Sequence, residues 1–230
     1  MTSKYKHIYF DLDRTIWDFE GNATETLLDI QEKFDLKHIP AEDFRKTFSY
    51  FNEQHWQLFR EGRIKKEDLR NERFKKTLAK FGFKDEIFAE KVAIEYIRIG
   101  PTKTGLIPFA REVIEELHKH YTLYIITNGF YDIQSHKLHN SRIDTYFSKV
   151  ITSEDAQASK PKRGIFEYAL STANAKKKES LMVGDDLELD ILGAKSFGID
   201  QAYFNPLGLK HKESVTFEIN SLLDLKKILL

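Results

Sequence analysis

Five short strand-like runs punctuate this chain: Tyr5–Phe10, Leu123–Ile126, Lys149–Thr152, Leu181–Val183 and Ala202–Phe204. Around the last four lie segments of helical spacing, Ala110–His118, about Asp132–Leu138, Gly164–Ala173 and Leu189–Phe197, and a terminal helix near Leu222–Leu229. Strands this short and apolar, joined by helix-length connections, cannot form hairpins. They predict an α/β fold, a parallel sheet covered by helices on both faces.

Between the first run and the second the texture changes. From about Asp18 to Tyr96 the chain is charged and helix-periodic. Ala23–Phe34 spaces Leu27, Leu28, Ile30 and Phe34; Asp43–Phe59 spaces Phe44, Phe48, Phe51 and Phe59. Asp68–Phe81 and Glu86–Ile97 follow, with Gly62 and Gly82 at the breaks. The block reads as a helical insertion between strands one and two, so that residues 1–17 plus 101–230 form the core and 18–100 the insert. A chain of 230 residues has room for both.

Acidic and basic residues balance at 36 each, so no global field attracts a nucleic acid polymer or an anionic membrane. Cysteine is absent, which removes thiolate chemistry and Cys-ligated zinc. No signal-peptide core and no run of bilayer length is present, so a soluble cytoplasmic protein is expected. Lys176-Lys177-Lys178 reads as a solvated loop.

In an open parallel sheet, ligands bind beyond the carboxyl ends of the strands. Strand one ends in Asp11-Leu12-Asp13-Arg14-Thr15, strand two in Thr127-Asn128-Gly129, and strand four in Gly184-Asp185-Asp186 with Asp190 a turn later; Lys160-Pro161 follows strand three. Turn and cap chemistry accounts for each alone. Together they place carboxylates, a hydroxyl and an amine at one edge. Asp11, the Asp13 region and Asp185 offer oxygen ligands suited to magnesium. Thr127, the Asn128 and Gly129 amides and Lys160 can hold a phosphoryl group. A metal opposite a lysine, with a carboxylate between, is a phosphoryl-transfer site.

These four segments resemble the motifs of the haloacid dehalogenase-like (HAD) superfamily: Asp11 to Thr15, Thr127, Lys160, and Gly184-Asp185 through Asp190. The resemblance implies a Rossmann-like core with an inserted helical C1 cap. It implies that Asp11 is a nucleophile that becomes phosphorylated, and that Asp13 carries the proton and lends its backbone carbonyl to the metal. Asp13 favours a phosphatase, because dehalogenases of the superfamily lack an acid there. Ile126–Phe130, Ser153-Glu154-Asp155, Met182–Gly193 and the stretch Trp56–Phe59 through Gly62 and Arg73-Phe74 further resemble the YjjG-like pyrimidine 5′-nucleotidases. The implied activity is a magnesium-dependent nucleoside 5′-monophosphate phosphatase. Arg14 and Gln157 depart from the pattern: the first slot is usually small or acidic, the second often glycine.

Other residues have competing readings. Asp186 is read as a helix N-cap supporting the site. His136 and His139 share a helix face that reads as solvated. Phe51, Trp56 and Phe59 could stack on a base, although helix-spaced aromatics usually form core. Trp17, where the chain leaves the site, and Trp56 are the candidate pocket residues. The alternatives are a sugar-phosphate or phosphoglycolate phosphatase of the same superfamily, and a catalytically silent binding module.

Overall fold

Strand β1 (His7–Phe10) runs between two parallel neighbours in the computed structural model, which describes residues 4–230. With β2 (Thr122–Thr127), β3 (Phe147–Thr152), β4 (Ser180–Gly184), β5 (Asp200–Phe204) and β6 (Phe217–Ile219) it forms a six-stranded sheet in the order β3-β2-β1-β4-β5-β6. Every pairing is parallel. Phe10 lies opposite Ile125 on one side and Val183 on the other, and the Asp11 N–H continues the ladder to the Val183 carbonyl at 2.9 Å. That register brings the ends of β1, β2 and β4 to one edge of the sheet.

Side chains alternate across the strands. Ile8, Phe10, Leu123, Ile125, Leu181 and Val183 face one layer, where Ala110, Val113, Ile114 and Leu117 of α5 (Ala110–Leu117) join them. The α5 set follows the i, i+3, i+4, i+7 pattern of a single buried stripe. Each such side chain contributes roughly 1.5–3 kcal/mol on burial, and truncating Ile114 to Ala is expected to cost about 2–5 kcal/mol through the cavity it leaves. Tyr9, Tyr124, Ile126, Ile151 and Met182 face the opposite layer, against Ile165, Phe166, Ala169 and Leu170 of α8 (Arg163–Thr172) and Phe197 of α9 (Gly193–Phe197). Both faces are covered, so the central strands β1, β2 and β4 are buried over nearly all their length.

The chain divides into two compact units: the described residues up to Phe19 with Thr104–Leu230, and Glu20–Lys103. The second consists of α1 (Phe19–Lys33, from Glu20 onward), α2 (Ala41–Arg60), α3 (Lys66–Lys80) and α4 (Glu86–Ile99). Leu27, Ile30, Phe44, Phe48, Phe74, Leu78, Val92 and Tyr96 form its core. Asp85 caps α4 by accepting from the Ile87 and Phe88 amides, satisfying two of its orphan donors. Leu28, expected on the apolar face, is exposed, because the buried stripe of α1 runs through Ala23, Thr26, Leu27, Ile30 and Gln31 and position 28 falls outside it. No helix among the described residues is long and apolar enough to cross a membrane.

Two further elements depart from the sequence expectation. The helix expected over Leu189–Phe197 is a π-helical turn, Leu187–Leu192, followed by α9. The wide turn shows in the Ile191 N–H, which reaches back five residues to the Asp186 carbonyl at 3.3 Å. Strand β6 is not apparent in the sequence; three residues with a central Glu218 carry no period long enough to read.

Candidate active site

Asp11 follows β1 directly and is 8% exposed. Its Oδ1 lies 2.5 Å from the Lys160 ammonium, which also reaches Asp190 Oδ1 at 2.6 Å and the Ile126 carbonyl at 2.9 Å. The contacts with Asp11 and Ile126 are hydrogen bonds, and that with Asp190 is an ion pair. Lys160 is itself held through its backbone: the Asn128 side chain accepts from its N–H at 2.7 Å and donates to its carbonyl at 3.1 Å. Asn128 therefore reaches the site as a clamp on the lysine, a role beyond the amide donor expected of it.

Asp190 arrives from the π-helical turn. Its carboxylate lies against Gly184, where a Cβ would collide with it, and accepts from the Asp186 N–H at 3.2 Å. Asp186 caps that turn by accepting from the Glu188 and Leu189 amides, as its position in the sequence suggests. Asp185 accepts from the Thr15 hydroxyl at 2.9 Å.

Oxygens of Asp11, Asp185 and Asp190 all lie within 4.8 Å of one another. Asp11 and Asp190 thus share the Lys160 ammonium, Asp185 lies beside them on the Thr15 hydroxyl, and the three carboxyls are pushed upward together. Burial pushes Asp11 up to about 7, with the Lys160 charge opposing and Asp190 and Asp13 adding to the rise. Burial also lifts Asp185 to about 7, helped by Asp11, and Asp190 to about 6. Burial alone would lower Lys160, yet the Asp11 and Asp190 charges outweigh it and raise the ammonium above the ordinary lysine range. The lysine is over-compensated and the carboxylates under-compensated. A hard divalent cation with oxygen ligands fits this charge deficit and this donor set.

The Asp13 side chain does not join that trio. Its Oδ1 takes a 2.6 Å bond from Lys137 and its Oδ2 a 2.9 Å bond from Gln134, both on α6 (Tyr131–Asn140). Gln134 Nε2 also donates to Thr127 Oγ1 at 2.8 Å, and the Gly129 N–H donates to the same oxygen at 3.0 Å. Thr127 is 2% exposed; with two donors on its oxygen, its own hydrogen is what it has left to give. The Gly129 amide serves Thr127 here, and a Cβ on Gly129 would strike Gln134.

Gln134 and Lys137 were not singled out in the sequence, where about Asp132–Leu138 shows only a helical spacing. Their signal was position: residues 134, 137 and 138 share one face, and all three are buried. His136 and His139 lie on the exposed side, His139 3.1 Å from Asp144. Trp17 is 3% exposed within the core unit's apolar cluster, with the Lys137 ammonium 4.2 Å from its ring centroid. Trp56 is half-buried on α2, edge-on to Phe59 at 6.0 Å.

The two departures from the motif pattern have backbone consequences. Arg14 sits at φ 66 with its guanidinium 4.4 Å from the Phe19 ring centroid. Gln157 sits at φ 48 as the C-cap of α7 (Ser153–Ala156). A left-handed backbone costs an L-residue roughly 1–2 kcal/mol, which is the reason glycine suits position 157.

Comparison with known proteins agrees with this geometry. A family model described as haloacid dehalogenase-like hydrolase matches residues 5–198. The pyrimidine 5′-nucleotidase PynA of Streptococcus pneumoniae is 31% identical, over 96% of this chain and 93% of its own. The pyrimidine 5′-nucleotidase YjjG of Escherichia coli is 28% identical, over 98% of each chain. The crystal structure of the HAD-hydrolase YfnB of Bacillus subtilis, bound to magnesium, superposes with a TM-score of 0.88 at 29% identity, covering 98% of each chain.

Proposed function

The chain belongs to the haloacid dehalogenase-like hydrolases, and from that premise we propose that it is a magnesium-dependent phosphomonoesterase acting on pyrimidine nucleoside 5′-monophosphates. The observation that carries the chemistry is a buried Asp11 with one oxygen fixed by Lys160; Asp13, two residues on, takes the proton-carrying role that the resemblance assigns. The substrate class rests on the full-length likeness to PynA and YjjG.

Asp11 Oδ2, the oxygen Lys160 does not hold, attacks phosphorus in line with the ester bond. As the P–O bond breaks, Asp13 gives its proton to the leaving oxygen, releasing the alcohol and leaving phosphate on Asp11. Asp13 then takes a proton from a water that attacks the same phosphorus, phosphate leaves, and Asp11 is restored. Thr127 donates its hydroxyl hydrogen to a phosphoryl oxygen, and Lys160 keeps Asp11 oriented and partly neutralised. Asp11 and Asp185, with the Asp13 backbone carbonyl that the resemblance assigns, would hold magnesium, and Asp190 braces Lys160 behind them. The ion supplies positive charge for the carboxylates and phosphoryl oxygens. The helical unit acts as the cap that selects substrate, with Trp56 a candidate contact.

A hydrolysis panel over nucleoside monophosphates and sugar phosphates, with magnesium and with chelator, tests this reading. Pyrimidine monophosphates are expected to be cleaved best, only with the metal, and poorly with calcium, whose looser shell would misplace Asp11. Cleavage of a sugar phosphate alone would remove the nucleotidase assignment and leave the phosphatase. Phosphate release from no ester would leave a silent binding module.

A further inference from the structure

Lys137 is an expensive residue to bury. Its side chain is 8% exposed, its ammonium lies over the Trp17 ring, and it is paired with Asp13, whose own side chain is 24% exposed. A lysine in such a place needs close pairing to offset its lost hydration. One turn earlier on the same helix, Gln134 is 1% exposed and spends its amide hydrogens on Asp13 and Thr127. The two donors take different oxygens of one carboxylate, at 2.6 and 2.9 Å, which fixes both the position and the plane of the group. Each oxygen keeps a second lone pair on which a proton can sit. Packing alone would be served as well by apolar residues at 134 and 137.

We infer that Lys137 and Gln134 are positioning residues that hold the Asp13 carboxylate, and through Gln134 the Thr127 hydroxyl, in the geometry for proton transfer to the leaving oxygen. The inference rests on the phosphomonoesterase reading above. It assigns α6 the task of coupling the proton carrier to the phosphoryl donor. Trp17 then acts as the aromatic floor under the Lys137 ammonium.

Leaving-group dependence separates this from a structural ion pair. A nucleoside alkoxide needs a proton as it departs, whereas 4-nitrophenolate departs without one. Damage to folding, to the metal site or to Thr127 lowers kcat/KM for both esters alike. Misplacement of Asp13 adds a loss for the nucleoside monophosphate alone. Lys137→Met and Gln134→Met keep side-chain volume and remove the donors; the second carries the test if the first does not fold. In each, the ratio of kcat/KM for uridine 5′-monophosphate to that for 4-nitrophenyl phosphate is expected to fall at least about tenfold relative to wild type. A ratio unchanged in both variants overturns the positioning role and leaves the phosphatase reading standing. Phosphate release from neither ester by the wild-type protein overturns that reading, and this inference with it.

Discussion

Replacing Lys160 with methionine removes the ammonium paired with Asp11 and Asp190, beside Asp185, and the structure says how the damage should depend on pH. In the metal-free folded chain Asp11 and Asp185 lie at about 7 and Asp190 at about 6, against an ordinary 3.8. A carboxyl raised on folding binds its proton more tightly folded than unfolded. Its stability contribution is therefore present at low pH and lost as pH rises from the unfolded value through the folded one, by roughly 1.4 kcal/mol per pH unit for each proton held. Lys160, raised above its ordinary value, stabilises the fold equally at every pH below that value, so it adds no slope near neutrality. Without it the carboxyls rise further. At about pH 5 they are protonated and the variant should unfold close to the wild-type temperature. At about pH 8 the uncompensated charge should cost about 3–5 kcal/mol, a fall of roughly 6–20 °C for a chain of this size. Thermal unfolding in chelator across this range is the assay, and magnesium added at the upper end should recover part of the loss. An equal loss at both ends would refute the electrostatic account and make Lys160 a packing residue.

Gly184→Ala should push the Asp190 carboxylate off Lys160 and lower kcat at least about tenfold, with a lower melting temperature; unchanged kinetics would contradict the placement of Asp190 against that glycine. Gln157→Gly should relieve the left-handed backbone and stabilise by up to about 1 kcal/mol, raising the unfolding midpoint by roughly 2–4 °C with kcat unaltered. Asp13→Asn should slow steady-state turnover by at least roughly a hundredfold, as expected when a general acid–base group is lost; near-normal turnover would move the proton carrier elsewhere.

The parallel sheet was legible because its central strands are short apolar runs joined by helix-length connections. Turn and cap chemistry accounts for Asp11, Asp13 or Lys160 taken alone, and it was their joint arrangement at the strand ends that marked the site. Gln134 and Lys137 carried no such mark, because a buried lysine and a solvated one look alike in sequence; only the docking of α6 distinguishes Lys137 from its exposed neighbour His136. The split of the last core helix was equally hidden. Leu189–Phe197 has an acceptable helical period, and the π-helical turn follows from seating Asp190 on Gly184 and Lys160, a tertiary demand. Strand β6 is too short to show a period, and Leu28 shows that a correct helix can still carry one apolar residue off its buried face.

The central claim is that phosphate passes through Asp11, and trapping it there is the direct test. Asp13→Asn should still accept phosphate from an aryl ester, which needs no proton for departure, and should release it slowly for want of a base. Rapid acid quench, borohydride reduction of the acyl phosphate and peptide mass analysis should then find homoserine at position 11. Steady turnover by the wild-type protein with no phosphate on Asp11 at any quench time, in either protein, would contradict the claim and leave direct attack by water.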